Sequence, residues 1–269
     1  MMQFLTWLAN LPQDRAGGIL KRMAKRFTVT NRTAAAGQSR EPAAKRDSSS
    51  LSCVFGQPRQ LEPVSRAWGF DRGLPIDRYY IQDFLTQYAA DIRGRVLEIG
   101  DETYTRKFGG DRVTKADVLS VEPENPRATF VADLTQAGHI PSDAFDCVIL
   151  TQTLDLIYDV RAALATLQRI LKPGGVLLAT FPGITRISHD EWAGSWYWGF
   201  TSNSARRMFV ESFSSVQIHS YGNVLAASAF LYGFAVEEMQ REELDYRDRD
   251  YELIVGVRAA KRQEREDEH

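Results

Sequence analysis

Residues 95–104 read Arg-Val-Leu-Glu-Ile-Gly-Asp-Glu-Thr-Tyr, a short apolar stretch that runs into a glycine and then into polar residues. The part from Arg95 to Ile99 is typical of a buried strand, and Gly100 marks the turn that follows it. In an open parallel sheet, ligands bind where the strands end. The stretch therefore predicts a central strand and one edge of a binding site.

Strands and helices alternate around this stretch. An apolar stripe at helical spacing follows Asp77, the predicted N-cap of one helix, and a second stripe runs from Val160 to Leu171, before the breaker Lys172 to Gly175. Further strands are predicted at 118–122, 129–132, 147–150, 176–179, 216–221 and 251–257, with a helical segment from about Val224 to Leu244 between the last two. The alternation predicts an α/β fold with a doubly wound, mostly parallel sheet.

Composition and charge exclude several classes of protein. The chain has 269 residues, of which 43% are hydrophobic and 25% charged, as in globular proteins. It has no run of about 18 apolar residues and no basic signal segment, so a cytoplasmic location is predicted. Residues 1–50 carry nine basic and three acidic side chains, whereas residues 51–269 carry 24 basic and 32 acidic side chains. Such an acidic body does not attract nucleic acid, which we exclude as a substrate.

The amino-terminal part differs from the rest of the chain. Residues 1–32 combine apolar residues at helical spacing with several Lys and Arg, which predicts a basic amphipathic helical segment. This segment suits an anionic membrane surface or a partner protein, and docking on the chain's own domain is the alternative. Residues 33–52 are rich in Ala, Ser and charge and predict a flexible linker, which leaves 53–269 as the main domain. The two cysteines have no nearby histidines, so no metal site is predicted.

Polar residues follow several of the predicted strands. The turn after the first strand lacks the Gly-x-Gly-x-x-Gly dinucleotide fingerprint, because Glu102 occupies the second glycine position and would repel a pyrophosphate. Glu122, at the next strand end, is placed to accept hydrogen bonds from ribose hydroxyls. Asp133, one strand further, is placed to bind an adenine amino group. These positions favour an adenosine ligand over a nicotinamide dinucleotide.

Three segments carry a family resemblance. Val96–Gly100, Phe145–Leu150 and Ile170–Gly175 resemble successive motifs of the class I S-adenosylmethionine-dependent methyltransferases, over roughly residues 70–260. The chain is most similar to the bacterial small-molecule branch, whose members often accompany glycosyltransferases. The resemblance implies a seven-stranded sheet in which the last strand is antiparallel and lies beside the fifth.

The resemblance also implies S-adenosylmethionine as the cofactor and indicates which residues contact it. The implied contacts are Glu98 and Gly100 for the methionine part, Glu122 for the ribose, Asp133 with Leu134 for the adenine, and Thr151 with Gln152 for the floor of the pocket.

The glycine-rich loop departs from the family pattern. Of the three glycines in Gly-x-Gly-x-Gly only Gly100 is present, and Glu102 and Tyr104 stand at the other two positions. In one interpretation the loop is rebuilt and still binds the cofactor through Asp101, Tyr104 and Arg106, with Thr103, Thr105 or Arg106 meeting the methionine carboxylate. In the other, binding is lost and the fold serves as a noncatalytic scaffold. An arginine fork suits a carboxylate, which favours the first interpretation.

An aromatic loop is predicted to face the acceptor. The segment from Phe181 to Thr201 holds three of the five tryptophans of the chain, and Trp196 and Trp198 are candidates for a substrate wall. Packing against the body of the protein is the alternative. His189 in this loop is the candidate general base, with a solvated surface histidine as the alternative.

Two tyrosines precede the first strand. Tyr79 and Tyr80 lie where similar methyltransferases cover their site, so they are candidates for substrate contact, and helix packing is the alternative. Together these features predict methyl transfer from S-adenosylmethionine to an oxygen or nitrogen of a small acceptor, with a sugar or glycan precursor as one candidate.

Overall fold

The computed structural model describes residues 61–189 and 193–263, and seven strands in this part form one sheet in the order β3-β2-β1-β4-β5-β7-β6. The strands are β1 (Gly94–Ile99), β2 (Val113–Ser120), β3 (Phe130–Val131), β4 (Phe145–Thr151), β5 (Leu171–Pro182), β6 (Ser215–Tyr221) and β7 (Ile254–Ala260). Only β7 runs against its neighbours β5 and β6. The predicted fold class is therefore confirmed, including the antiparallel last strand beside the fifth.

Helices connect the strands. The α-helices are α1 (Ile76–Gln87), α2 (Val160–Ile170), α3 (Ser202–Val210), α4 (Val224–Tyr232) and α5 (Arg241–Asp245). In the described part of the chain, no helix is long and apolar enough to cross a membrane. The predicted amphipathic segment 1–32 and linker 33–52, together with the predicted domain start at residue 53, lie outside the described residues and stay predictions.

Two local predictions are wrong. Asp77 does not cap α1, because it is the second residue of the helix, which begins at Ile76 after the N-cap Pro75, whose φ of -57° suits a helix start. The segment 224–244 is not one helix. It breaks at Gly233, which adopts a φ of 81° at the end of α4, a conformation that costs glycine little.

A bulge links α2 to the centre of the sheet. The helix ends at Ile170, but the strand begins at once, so the predicted breaker lies inside β5. Phe145 pairs with Leu171 and Cys147 with Val176, so the four residues 172–175 of β5 lie opposite one residue of β4, Asp146. The stretch 172–175 absorbs this difference and brings the end of β5 level with the end of β4. The carboxyl ends of both strands therefore reach the same edge.

The sheet is buried on both faces by the helices. The β4 strand and the end of β5 are almost free of solvent exposure, and the apolar stripe of α2 packs into the same core. The turns that bear on the candidate site follow the carboxyl ends of β1, β2, β3 and β4. This rigid sheet places those turns in one row, where the candidate site lies.

Candidate active site

The turn after β1 folds back on the last acid of its own strand. Glu98 is 3% exposed, and its carboxylate accepts the backbone N–H groups of Tyr104 (3.1 Å) and Thr105 (2.7 Å). Burial raises the pKa of Glu98 to about 7, although these hydrogen bonds oppose the shift. Glu98 thus determines the shape of the loop that it was predicted to share with the cofactor.

Gly100 provides open space in this loop. Its φ is 83°, and a Cβ added to it would meet no atom within 4 Å. The carbonyl oxygen of Gly100 accepts the side-chain amide of Asn125 at 2.8 Å, which joins the turn after β1 to the turn after β2. The backbone around Gly100 is therefore held in place beside an open volume.

The remainder of the loop is rebuilt relative to the family pattern. Residues Thr105–Gly109 form a single π-helical turn. Glu102, at a glycine position of the pattern, forms an ion pair of 2.8 Å with Arg106, whose side chain is 72% exposed. Asp101 accepts the backbone N–H of Thr103 at 2.9 Å. Arg106 was predicted to contact the cofactor, but the structure places it on Glu102 at the surface.

A second arginine, Arg78, interacts with several acidic groups. Arg78, in the first turn of α1, forms an ion pair with Asp77 at 3.3 Å, and its side chain is partly buried. Burial alone would lower the pKa of Arg78, but the surrounding acidic groups raise it. These groups are Asp77, Tyr104, Asp101 and Asp155. The charge of Arg78 therefore interacts with acidic groups of α1, of the loop after β1 and of the turn after β4.

Tyr104 belongs to this cluster. Its half-buried ring lies 6.0 Å from that of Phe108, on the same loop. Burial raises the pKa of its hydroxyl, and the positive charge of Arg78 acts in the opposite direction. The tyrosine at the third glycine position therefore replaces a bare backbone with a polar group beside Arg78.

Two buried acids of the cluster were not among the predicted site residues. Asp155, in the one-turn helix after β4, is 2% exposed, and burial raises the pKa of its carboxyl to about 6. Its Oδ1 has no hydrogen-bond partner in the described structure, and the same holds for Oδ1 of Asp77. The sequence signal was an acid one turn after the fourth strand. Its burial depends on chain segments that are distant in sequence, so the pattern alone did not reveal it.

The residues predicted to bind adenosine follow β2 and β3. The side chains of Glu122 and Asp133 are both exposed, and Oδ1 of Asp133 accepts the N–H and the hydroxyl of Thr135 at 2.8 and 2.9 Å. Leu134 packs in the core, so only its backbone remains for a ligand. The ribose and adenine assignments stay predictions that this placement permits.

The predicted floor follows β4. The Thr151 carbonyl accepts the hydroxyl of Thr153 at 2.9 Å. Gln152 adopts a φ of 47°, which is uncommon for a residue other than glycine, and its backbone N–H bonds the Thr180 carbonyl at 2.8 Å. Its side-chain amide reaches the Thr180 hydroxyl at 3.3 Å. Gln152 therefore ties the turn after β4 to β5, at the site edge of the sheet.

The aromatic loop divides into an inner and an outer part. The ring of Trp196 stacks on Trp68 at 6.4 Å, and the guanidinium of Arg186 lies 3.7 Å from the centre of the Trp68 ring. Trp198 is 43% exposed and stacks on the exposed Tyr158 at 5.9 Å. The two tryptophans predicted to act as one wall therefore lie in different surroundings.

The other three predicted residues are spread out. Tyr80 is buried, and its hydroxyl donates to the Leu244 carbonyl at 2.9 Å, so the packing alternative describes it. The hydroxyl of Tyr79 donates to Asp245. His189 is exposed at the end of a described range, and the three residues after it lie outside the described part. No contact in the described structure joins His189 to the Arg78 cluster.

The comparison with known proteins identifies the family. A family model described as a methyltransferase domain matches residues 70–230. No curated protein sequence matches the chain.

The chain is similar to solved structures of methyltransferases at low identity. The N-methyltransferase NodS from Bradyrhizobium japonicum, solved with S-adenosyl-L-homocysteine, is 15% identical with a TM-score of 0.47, over 71% of this chain and 89% of NodS. A SAM-dependent methyltransferase from Archaeoglobus fulgidus is 12% identical with a TM-score of 0.47, over 68% of this chain and 94% of that protein. Because the family model covers more than half of the chain, the protein belongs to the methyltransferase domain family, and S-adenosylmethionine is its cofactor.

Proposed function

We propose that the protein transfers the methyl group of S-adenosylmethionine to an oxygen or nitrogen of a small acceptor, with a sugar or glycan precursor as the candidate class. One observation carries this proposal: the backbone at Gly100, at the carboxyl edge of the sheet, adjoins open space, and the next residue, Asp101, interacts with the charge of Arg78. This edge is where parallel α/β sheets bind ligands.

The residues present fit the methionine end of the cofactor, which carries a carboxylate and an ammonium group. Arg78 offers a guanidinium fork to the carboxylate. Asp77 and Asp155 each keep one buried oxygen without a partner in the described structure. Buried polar atoms are almost always hydrogen-bonded in native proteins, so such a concentration of unpartnered oxygens indicates a place for a ligand.

The adenosine end fits as well. The exposed carboxylate of Glu122 can accept two ribose hydroxyls, and Asp133 keeps its Oδ2 for an amino group while Thr135 occupies Oδ1. When bound, the cofactor supplies a methyl group on a positively charged sulfur. The chain has to hold the acceptor in line with that methyl group, exclude water and receive a proton if the acceptor is a hydroxyl.

An exposed aromatic platform supports a sugar as the acceptor. Tyr158, Tyr197 and Trp198 are each exposed by more than a third, and Tyr158 lies 5.4 Å from Tyr197 and 5.9 Å from Trp198. The indole N–H of Trp198 donates to the Ile157 carbonyl at 2.9 Å, which fixes the ring. Flat rings that are held in place and exposed on one side suit the apolar face of a sugar.

The alternative function is a noncatalytic scaffold in glycan assembly, tethered through the basic segment 1–32. Glu102 and Tyr104 favour it, because they replace glycines of the family pattern. The open volume at Gly100 and the exposed carboxylate of Glu122 oppose it, since a site that had lost its ligand would have no need of either.

Calorimetric titration of the full chain tests the proposal. We expect S-adenosylhomocysteine to bind and NADH not to bind. A folded protein that binds neither would support the scaffold, and binding of NADH alone would contradict the proposed reaction.

A further inference from the structure

We propose that Asp155 is the general base of the reaction: its carboxylate faces the acceptor and takes the acceptor's proton during methyl transfer. This inference rests on the proposed function. It assigns the role to a residue that the sequence did not single out, in place of His189.

The position of Asp155 links it to both halves of the site. It belongs to the one-turn helix Leu154–Leu156 that follows β4, at the same edge of the sheet as Gly100. Its backbone carbonyl accepts the N–H groups of Tyr197 (3.1 Å) and Trp198 (3.2 Å). The acid therefore lies at the root of the aromatic platform.

The state of the carboxylate suits a base. Its Oδ1 is fully buried and has no partner in the described structure, so no protein group competes for it with the hydroxyl or amine of an acceptor. Burial raises the pKa of Asp155 to about 6. The backbone N–H of Asp155 and the charge of Arg78 act in the opposite direction. A base with this pKa is ionised at neutral pH and still basic enough to share a proton in the transition state.

Other candidate bases are engaged or exposed. Both carboxylate oxygens of Glu98 already accept backbone N–H groups. Asp77 pairs with Arg78 at 3.3 Å. His189 lies exposed in its loop, where water competes for the proton. Asp155 thus differs from Glu98 and His189 in having a dehydrated oxygen without a partner, and it differs from Asp77 in forming no ion pair in the described structure.

The step balances with Asp155 in this role. The acceptor oxygen forms a bond to the methyl carbon with one of its lone pairs, and its proton passes to Oδ1 of Asp155. The electron pair of the broken carbon–sulfur bond stays on sulfur, which loses its positive charge. A nitrogen acceptor follows the same course, with one of its N–H protons passing to Asp155.

The positive sulfur gives a test that needs no acceptor. A carboxylate that faces the methyl group feels the charge of S-adenosylmethionine but not that of neutral S-adenosylhomocysteine. We expect the pKa of Asp155, followed by NMR of isotope-labelled aspartate carboxyls in the full chain, to be about one unit or more lower with S-adenosylmethionine than with S-adenosylhomocysteine. Asp155→Asn assigns the signal by removing it.

The same variant gives a second readout by calorimetry. At neutral pH, Asp155→Asn is expected to reduce the preference for S-adenosylmethionine over S-adenosylhomocysteine about tenfold. Asp111→Asn, which removes an exposed carboxylate before the amino end of β2, is the matched control and should leave the preference unchanged.

Each outcome decides the question. An equal effect of the two ligands on Asp155, or a carboxyl that stays protonated at neutral pH with S-adenosylmethionine bound, would overturn the inference while leaving the proposed function in place. Failure of both ligands to bind would overturn the proposed function and the inference with it.

Discussion

The buried carboxyl of Glu98 makes the stability of the protein depend on pH in a predictable direction. Burial raises its pKa from 4.5 to about 7 in the folded chain, so the folded state holds a proton that the unfolded state releases. The contribution of Glu98 to stability is therefore fully present below about pH 4.5 and is lost as the pH rises through about 7. The shift corresponds to about 3 kcal/mol in the free energy of unfolding, at about 1.4 kcal/mol per unit.

Glu98→Gln is the substitution that isolates this effect. Glutamine keeps the shape of the protonated acid and does not titrate. Relative to the wild type, the variant should gain about 3 kcal/mol of unfolding free energy as the pH rises from about 4.5 to about 7.5. The raised pKa of Asp155 acts in the same direction, but it is present in both proteins and cancels from the difference.

Urea unfolding at a series of pH values measures the difference, with extrapolation to zero denaturant. Glu124→Gln is the matched control, because Glu124 is exposed, and its curve should run parallel to that of the wild type. If the Glu98→Gln curve also ran parallel to the wild type, Glu98 would ionise in the folded chain at its ordinary pKa, and the argument from burial would be refuted.

Three further predictions concern the cofactor, the aromatic loop and the amino-terminal part. Glu122→Ala should weaken S-adenosylhomocysteine binding in calorimetry about 10- to 100-fold, as expected for a lost hydrogen bond to a charged group. The control Glu124→Ala should leave binding unchanged, and equal effects of the two substitutions would show that Glu122 does not contact the ligand. In urea unfolding, Phe200→Ala should cost about 3 to 5 kcal/mol, because its ring is buried, and Trp198→Ala should cost less and preserve cofactor affinity; equal losses would make Trp198 a core residue. A chain that begins at Ser52 should keep its cooperative melting transition, since residues 33–52 have little to bury, and loss of the transition would show that the earlier residues belong to the core.

The sequence predicted structure well where a single chain segment determines whether a strand or a turn forms. A buried strand has to be apolar, and the turn after it has to be polar or glycine, so β1, β4 and the rim position of Gly100 were visible as patterns. The start of β2 was missed because Val113–Ala116 lies at the open end of the sheet, where Thr114 and Lys115 are exposed and break the apolar run. Gly233 was visible as a helix end, but the helical segment predicted from about Val224 to Leu244 did not use that signal.

The sequence was less informative where distant segments converge. Asp155 is buried where the turn after β4 meets the aromatic loop, and no local pattern distinguishes it from the exposed Asp133. The different surroundings of Trp196 and Trp198 have the same origin, since the partner of Trp196 is Trp68, far away in the sequence. Charge clusters such as that around Arg78 are properties of the fold, and they become visible only when the fold is known.

The attachment of the aromatic loop to the Asp155 carbonyl bears on how this protein can evolve. The loop is held there through the backbone N–H groups of residues 197 and 198, which every amino acid except proline supplies. Side chains at these two positions can therefore be exchanged without loosening the anchor or moving the acid beneath it. In the proposed function, where the loop contacts the acceptor, single substitutions in the loop would change the acceptor and leave the cofactor side of the site as it is.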